Sequence, residues 1–152
     1  MTMAMTVSYS GGVSNLQAFN VQAALSKWAS FAGPEGRAAL KSKCPVDAAG
    51  GPGAGRMRDS ITSTSDTFTG GMTITYTANV PYAKYVINGT APHDIYPKAA
   101  RALHWGGASG PFASVVHHPG TRPNDFVERA LVPLEPILQE ELSLLIQEAL
   151  TE

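Results

Sequence analysis

At 152 residues the chain fits one ordinary domain, long enough to bury most of its apolar surface without disulfides or a structural metal. Eleven Lys and Arg stand against twelve Asp and Glu, a net charge of −1, so no basic field exists to retain nucleic acid through counterion release. The single cysteine excludes an intrachain disulfide and fits folding in a reducing cytoplasm, while 15 Gly and 11 Pro exceed the usual combined share of about 12% and imply long loops.

Residues 1–13 are small and polar, ending in Ser10-Gly11-Gly12, and read as a flexible arm that orders only against a neighbour. They carry neither a basic segment nor an apolar core of signal-peptide length, so no export signal is expected. Ser14 or Asn15 can cap a helix whose apolar positions Leu16, Phe19, Ala23, Trp28 and Phe31 recur at helical spacings, and Gly33-Pro34 is expected to end it. Residues 35–43 then read as a second short helix, favoured by Ala38, Ala39 and Leu40 and stopped by Cys44-Pro45. The Gly/Pro stretch 48–55 has almost nothing to bury and reads as a mobile loop.

From Met57 the pattern turns to β structure. Residues 72–78 alternate apolar side chains with threonines, the signature of a strand with one packed and one wet face. Thr69-Gly70-Gly71 joins it to a Ser/Thr-rich strand over 60–68 as a hairpin, whose arms would reach about 26 Å, enough to protrude or line a lumen. Residues 81–86 suit a helical turn or a short strand, with the helical turn preferred. Residues 93–97, 102–105 and 112–116 read as short strands completing an antiparallel sheet.

Pro123 suits the first turn of a helix, and Asp125 and Glu128 suit its positive end. Pro133 and Pro136 should interrupt or kink it. Beyond them Leu134, Ile137, Leu138, Leu142, Leu145, Ile146 and Ala149 form an apolar stripe on a helix of about 25 Å. Leu144 and Leu150 widen that stripe, for contact either with a second subunit or with the domain's own sheet. The expected fold is α+β: N-terminal helices, an antiparallel sheet of about five strands, and a long C-terminal helix packed on one face, all in a single domain over 14–152.

Catalytic patterns are sparse. His93, Asp94, His104, His117 and His118 are the only set from which a metal or acid–base site could be built, yet adjacent residues of a strand point to opposite sides and no His-x-x-x-His pattern occurs. Cys44 lacks a partner base, and Pro45 beside it offers no N–H. The serines at 60, 63 and 65 lack a nucleophile elbow, and the glycines of 50–55 lack the Lys-Ser/Thr of a phosphate-binding loop. No run nears the roughly 18 apolar residues of a membrane helix, so no membrane partner is expected. Neither a catalytic residue, a cofactor nor a metal is assigned. Arg56 and Arg58, read as alternating on one side of a strand, could meet acidic residues of a partner or a DNA phosphate, with solvation the preferred reading.

Two glycine-threonine turns stand out: Asn88-Gly89-Thr90, after Tyr82-Ala83, and His118-Pro119-Gly120-Thr121, before Phe126 and Ala130. With Cys44-Pro45-Val46-Asp47 and the stretch from Gly55 and Arg56 through Ser60 and Ile61, their order and spacing resemble the tail-completion or neck protein family of long-tailed double-stranded DNA phages. The resemblance spans roughly residues 40–135. It departs at 48–54, which look like an insertion, at Ile87, where the family usually carries glutamate, and at Asn124-Asp125, where proline is common. It implies a virion protein, assembled in the host cytoplasm, that forms a homo-oligomeric ring, six-fold or alternatively twelve-fold. Such a ring would lie between the head connector or stopper protein and the tail terminator or tail tube, with DNA passing through unbound. The alternatives are a tail-terminator ring and, from another class, a small histidine-dependent hydrolase.

Overall fold

A computed structural model describes residues 2–8, 15–46, 53–68, 71–105 and 110–151. The chain is a mixture of helices and antiparallel strands, in order β1 (Thr2–Ser8), α1 (Asn15–Lys43), α2 (Arg56–Asp59), β2 (Ile61–Phe68), β3 (Gly71–Ala78), α3 (Ala83–Asn88), β4 (His93–Ile95), β5 (Leu103–His104), β6 (Phe112–Ala113), β7 (Val116–His118), α4 (Phe126–Leu131) and α5 (Glu135–Thr151). It divides into two compact units. The first holds Met1–Ala83 and Asp125–Glu152, the second Lys84–Asn124.

In the first unit β3 is the central strand of a sheet ordered β1-β3-β2, antiparallel throughout. Its alternation works as the pattern demands: Met72, Ile74, Tyr76 and Ala78 are buried and the intervening threonines half-buried. β2 buries only Ile61; from Thr64 to Phe68 it is exposed. Helix α1 packs on β2 and β3 with one face, and on α4 and α5 with another. Its buried residues Val21, Ala24, Leu25, Trp28, Ala29, Ala32 and Leu40 recur at spacings of three and four, whereas Ala23 and Phe31, expected on that face, are exposed.

Four expectations are corrected. First, the sheet is not one of five strands: β4 pairs with β7 and β5 with β6 as separate two-stranded ribbons. Second, Thr2–Ser8, within the stretch read as a flexible arm, is a strand on the free edge of β3; the rest of that stretch, most of the 48–55 loop and the 69–70 turn lie outside the described residues. Third, the C-terminal helix packs on α1, not across the sheet: the Trp28 indole Nε1 donates to the Leu138 carbonyl at 2.9 Å in the buried seam, and Asn20 Nδ2 to that of Ala149 at 3.4 Å. The middle layer is therefore a helix. The break before α5 is where Pro133 puts it, and Pro136 falls in the first turn of α5, where a missing N–H costs nothing.

Fourth, α1 does not stop at Gly33-Pro34; it runs on through Pro34 to Lys43. Proline removes the donor to the Ser30 carbonyl, but both residues are exposed, so solvent can take that acceptor. What holds the two halves in line is Tyr76. Its phenol donates to the Ala32 carbonyl at 2.9 Å, and the ring fills the notch left by Gly36, where an added Cβ would lie 2.1 Å from the phenolic oxygen. Tertiary packing overrides the local breaker.

In an ordinary helix Gly→Ala stabilises by about 1 kcal/mol. Here Gly36→Ala is expected to destabilise by about 1–3 kcal/mol, because the fully buried Tyr76 ring has nowhere to move; urea denaturation of the variant checks the sign. Burial also pushes the Tyr76 phenol up to about 12. The folded state thus holds this proton where an unfolded tyrosine, near 10, has begun to lose it. Its contribution is complete below about pH 10 and lost as pH rises towards 12, a drop on the order of 2–3 kcal/mol. Tyr76→Phe should flatten that alkaline decline in a pH series of unfolding curves.

Candidate functional site

The second unit brings the two glycine-threonine turns together. Thr90 N–H donates to the Thr121 carbonyl at 3.0 Å and Thr121 N–H to the Thr90 carbonyl at 3.1 Å, an antiparallel bridge closed in both directions. The hydroxyls meet at 3.1 Å, and Thr121 N–H also reaches Thr90 Oγ1 at 3.1 Å. Each threonine follows a left-handed glycine, with φ +71° at Gly89 and +84° at Gly120. The need for glycine is double: a Cβ at Gly89 would sit 2.3 Å from the Thr121 carbonyl oxygen, and one at Gly120 2.3 Å from that of Thr90. Asn124 N–H, donating to the Val86 carbonyl at 3.1 Å, ties the exit of the unit to α3. Ile87, in α3, is half-buried.

From this clasp the ribbon β4–β7 extends, with His93 opposite His118, Asp94 opposite His117 and Ile95 opposite Val116. The period-two alternation separates the polar groups into two sets. The rings of His93 and His118 stack with centroids 5.0 Å apart. His118 Nδ1 accepts from Gly120 N–H at 3.0 Å, so its lone pair holds the turn, while His93 Nδ1–H donates to the Ala91 carbonyl at 3.0 Å. His117 Nδ1–H donates to Asp94 Oδ1, and Tyr96 donates to the other carboxylate oxygen at 3.3 Å. Pro92, His93, Asp94, His117, His118 and Pro119 line an open depression of about 550 Å³. His104 stands apart on β5, stacked on the exposed ring of Phe112 at 4.3 Å.

This arrangement is poor in reactive chemistry. None of the residues lining the depression is Ser, Cys or Lys. Among the described residues no group of three His, Cys, Asp or Glu side chains is placed to hold a metal ion. Cys44 is buried in the first unit, and burial pushes its thiol up, away from the reactive thiolate. No helix among the described residues is long and apolar enough to cross a membrane.

The remaining motif residues belong to the first unit, apart from the clasp. Gly55 takes φ +80° and begins α2, so Arg56 and Arg58 lie on a helical turn instead of one side of a strand. Arg56 is exposed. Arg58 donates to Asp59 at 2.9 Å, a bond that holds the Asp59 carboxyl below the usual carboxylate range. Ser60 caps the turn through its hydroxyl, donating to the Met57 carbonyl at 2.8 Å. Tyr82 is exposed, whereas Ala83 and Phe126 are fully buried. What the motif reading missed is the reciprocity of the clasp, which follows only once residues 31 positions apart are paired, and the coupling of Asp94 to His117, for which the sequence carries no spacing signal.

A family model described as "Bacteriophage HK97-gp10, putative tail-component" matches residues 13–89, half of the chain. The match takes in Gly55, Arg56, Ser60, Tyr82, Ala83 and Gly89, and ends before Thr90 and the second turn. No curated protein and no solved structure matches the chain.

Gly120→Ala is expected to open the clasp, since it combines a left-handed φ with a backbone clash, and to cost several kcal/mol locally. Hydrogen exchange should show loss of protection at Thr90, Thr121 and the β4–β7 ribbon while Ile74 and Tyr76 stay protected. Equal loss in both units would mean the clasp is not a local device.

Proposed function

The chain belongs to the HK97-gp10-like family of bacteriophage tail components, and from that premise we propose that it forms a ring in the virion neck, completing the tail and joining it to the head connector. The family match carries this reading. The character of the clasp supports it: backbone bridges position surfaces, and the geometry is built to hold shape rather than to activate a substrate.

A ring works through repeated surfaces. Contacts between unlike faces of neighbouring copies close when the rotation between them divides a circle, and six copies, or alternatively twelve, suit a joint in a tail. One face of the ring would meet the head connector or stopper protein and the other the tail terminator or tail tube. Contact material is present on the C-terminal helices: Ile137 and Leu144, seven residues apart on one side of α5, and Val132 before it are more than half exposed. A net charge of −1 supports free passage of DNA through the channel, because no positive field retains the polyanion.

Electron micrographs of the purified protein, alone and with isolated tail tubes, should show rings that cap the tubes. Rings that cap tubes yet fail to engage the connector would indicate a tail terminator; a persistent monomer with both partners would overturn the proposal. Among the described residues the His117–Asp94 pair is the group a hydrolase reading would use first. His117→Ala, at an exposed side chain outside the clasp, should leave phage yield unchanged, and a yield loss with intact rings would favour chemistry instead.

A further inference from the structure

We propose that the two outer strands of the sheet pair between copies, β2 of one subunit lying parallel to β1 of the next, so that each sheet continues into its neighbour. This rests on the ring reading and names the surface through which the ring closes. Three observations carry it.

Among the described residues the strand order leaves β1 and β2 each bonded on one side only, to β3. Neither edge is guarded in the usual ways. Thr2–Ser8 contains no charged residue and no proline, Ile61–Phe68 contains no proline and a single charge at Asp66, and both pair with β3 in unbroken register without a bulge. From Thr64 to Phe68 the side chains of β2 are also exposed.

The two edges are level. Each β3 residue from Gly71 to Thr77 faces one residue of β1 and one of β2, so Thr2 shares a rung with Thr62, Ala4 with Thr64, Thr6 with Asp66 and Ser8 with Phe68. The copies of a closed ring are related by rotation without rise, so strands meeting across an interface must be available at one height. Flush edges of seven and eight residues satisfy that.

The directions agree as well. Both outer strands run antiparallel to β3 and hence parallel to each other. In a six-fold ring neighbours differ by a rotation of about 60°, which cannot reverse a strand, so pairing between copies must join unlike edges running the same way, with the strands nearly parallel to the ring axis. A two-fold dimer would instead pair like edges in opposite directions.

Engineered disulfides test this in the full-length protein with Cys44→Ala as background. Three double variants serve: Ala4→Cys with Thr64→Cys, Thr6→Cys with Asp66→Cys, and Ala4→Cys with Asp66→Cys for a two-residue stagger. Within one subunit β3 separates the two positions by about 9–10 Å, beyond the roughly 7 Å a disulfide can span, so only a neighbour's strand can complete the bond. Mild oxidation should give a ladder of covalent multimers up to the ring number on a non-reducing gel, and each single-cysteine variant should stay monomeric there. Variants that form rings in micrographs but give no ladder from any pair would overturn the strand pairing and leave the ring standing. Covalent dimers from a single cysteine would show like edges facing. Cross-links only to tube protein would place a different chain on the edge, and wild-type protein that forms no ring even with tail tubes would overturn the ring itself.

Discussion

The first unit is organised by the contact between Tyr76 and the glycine notch of α1. Tyr76 stands on the central strand, and its ring occupies the space that any side chain at position 36 would need. The phenol reaches the Ala32 carbonyl just upstream of Pro34. One aromatic residue thereby joins sheet to helix and carries the helix past its own breaker. The longer α1 that results offers one face to β2 and β3 and another to α4 and α5. The C-terminal helix lies on the part of α1 before Pro34, where Trp28 meets the Leu138 carbonyl. The packed tyrosine fixes the sheet against α1, and the Trp28 seam fixes α5 on the same helix.

The second unit uses a different economy. It has little to bury, and large side chains such as Phe112, Tyr96 and Trp105 remain exposed. Its coherence comes from paired backbone: the reciprocal bridge of Thr90 and Thr121, the three-residue β4–β7 ribbon and the two-residue β5–β6 ribbon. Glycine is obligatory at two points because two carbonyl oxygens occupy the space of the missing Cβ atoms. His118 contributes an acceptor to its own turn, so its place in the motif is explained by hydrogen bonding without invoking catalysis.

Both devices suit a protein whose task is to present surfaces. A tail component must hold its shape against neighbours, and its requirements fall on edges and exposed side chains more than on a cleft. The clasp fixes where a loop-rich unit begins and ends, while the sheet leaves two level, uncharged or nearly uncharged edges at its margins. An edge of that kind in a solitary protein invites aggregation; in a ring, the next copy can cover it.

Much was decided by the amino acids alone. The alternation of 72–78 dictated a half-buried strand, Pro133 set the break before the last helix, and the two glycine-threonine turns carried the family resemblance. The strand over Thr2–Ser8 was also legible, since Met3, Met5 and Val7 alternate with small and polar residues, although the glycines that follow it carry the pattern of a flexible segment. Other features were out of reach because they depend on partners distant in the chain. Whether Pro34 ends a helix depends on a tyrosine 42 positions away, whether the short strands extend the main sheet depends on which edges they find, and whether two turns form one clasp depends on their meeting. Local patterns determine what each segment can be; the competition among long-range contacts, each small against the conformational entropy it must offset, decides which of those options the folded chain takes.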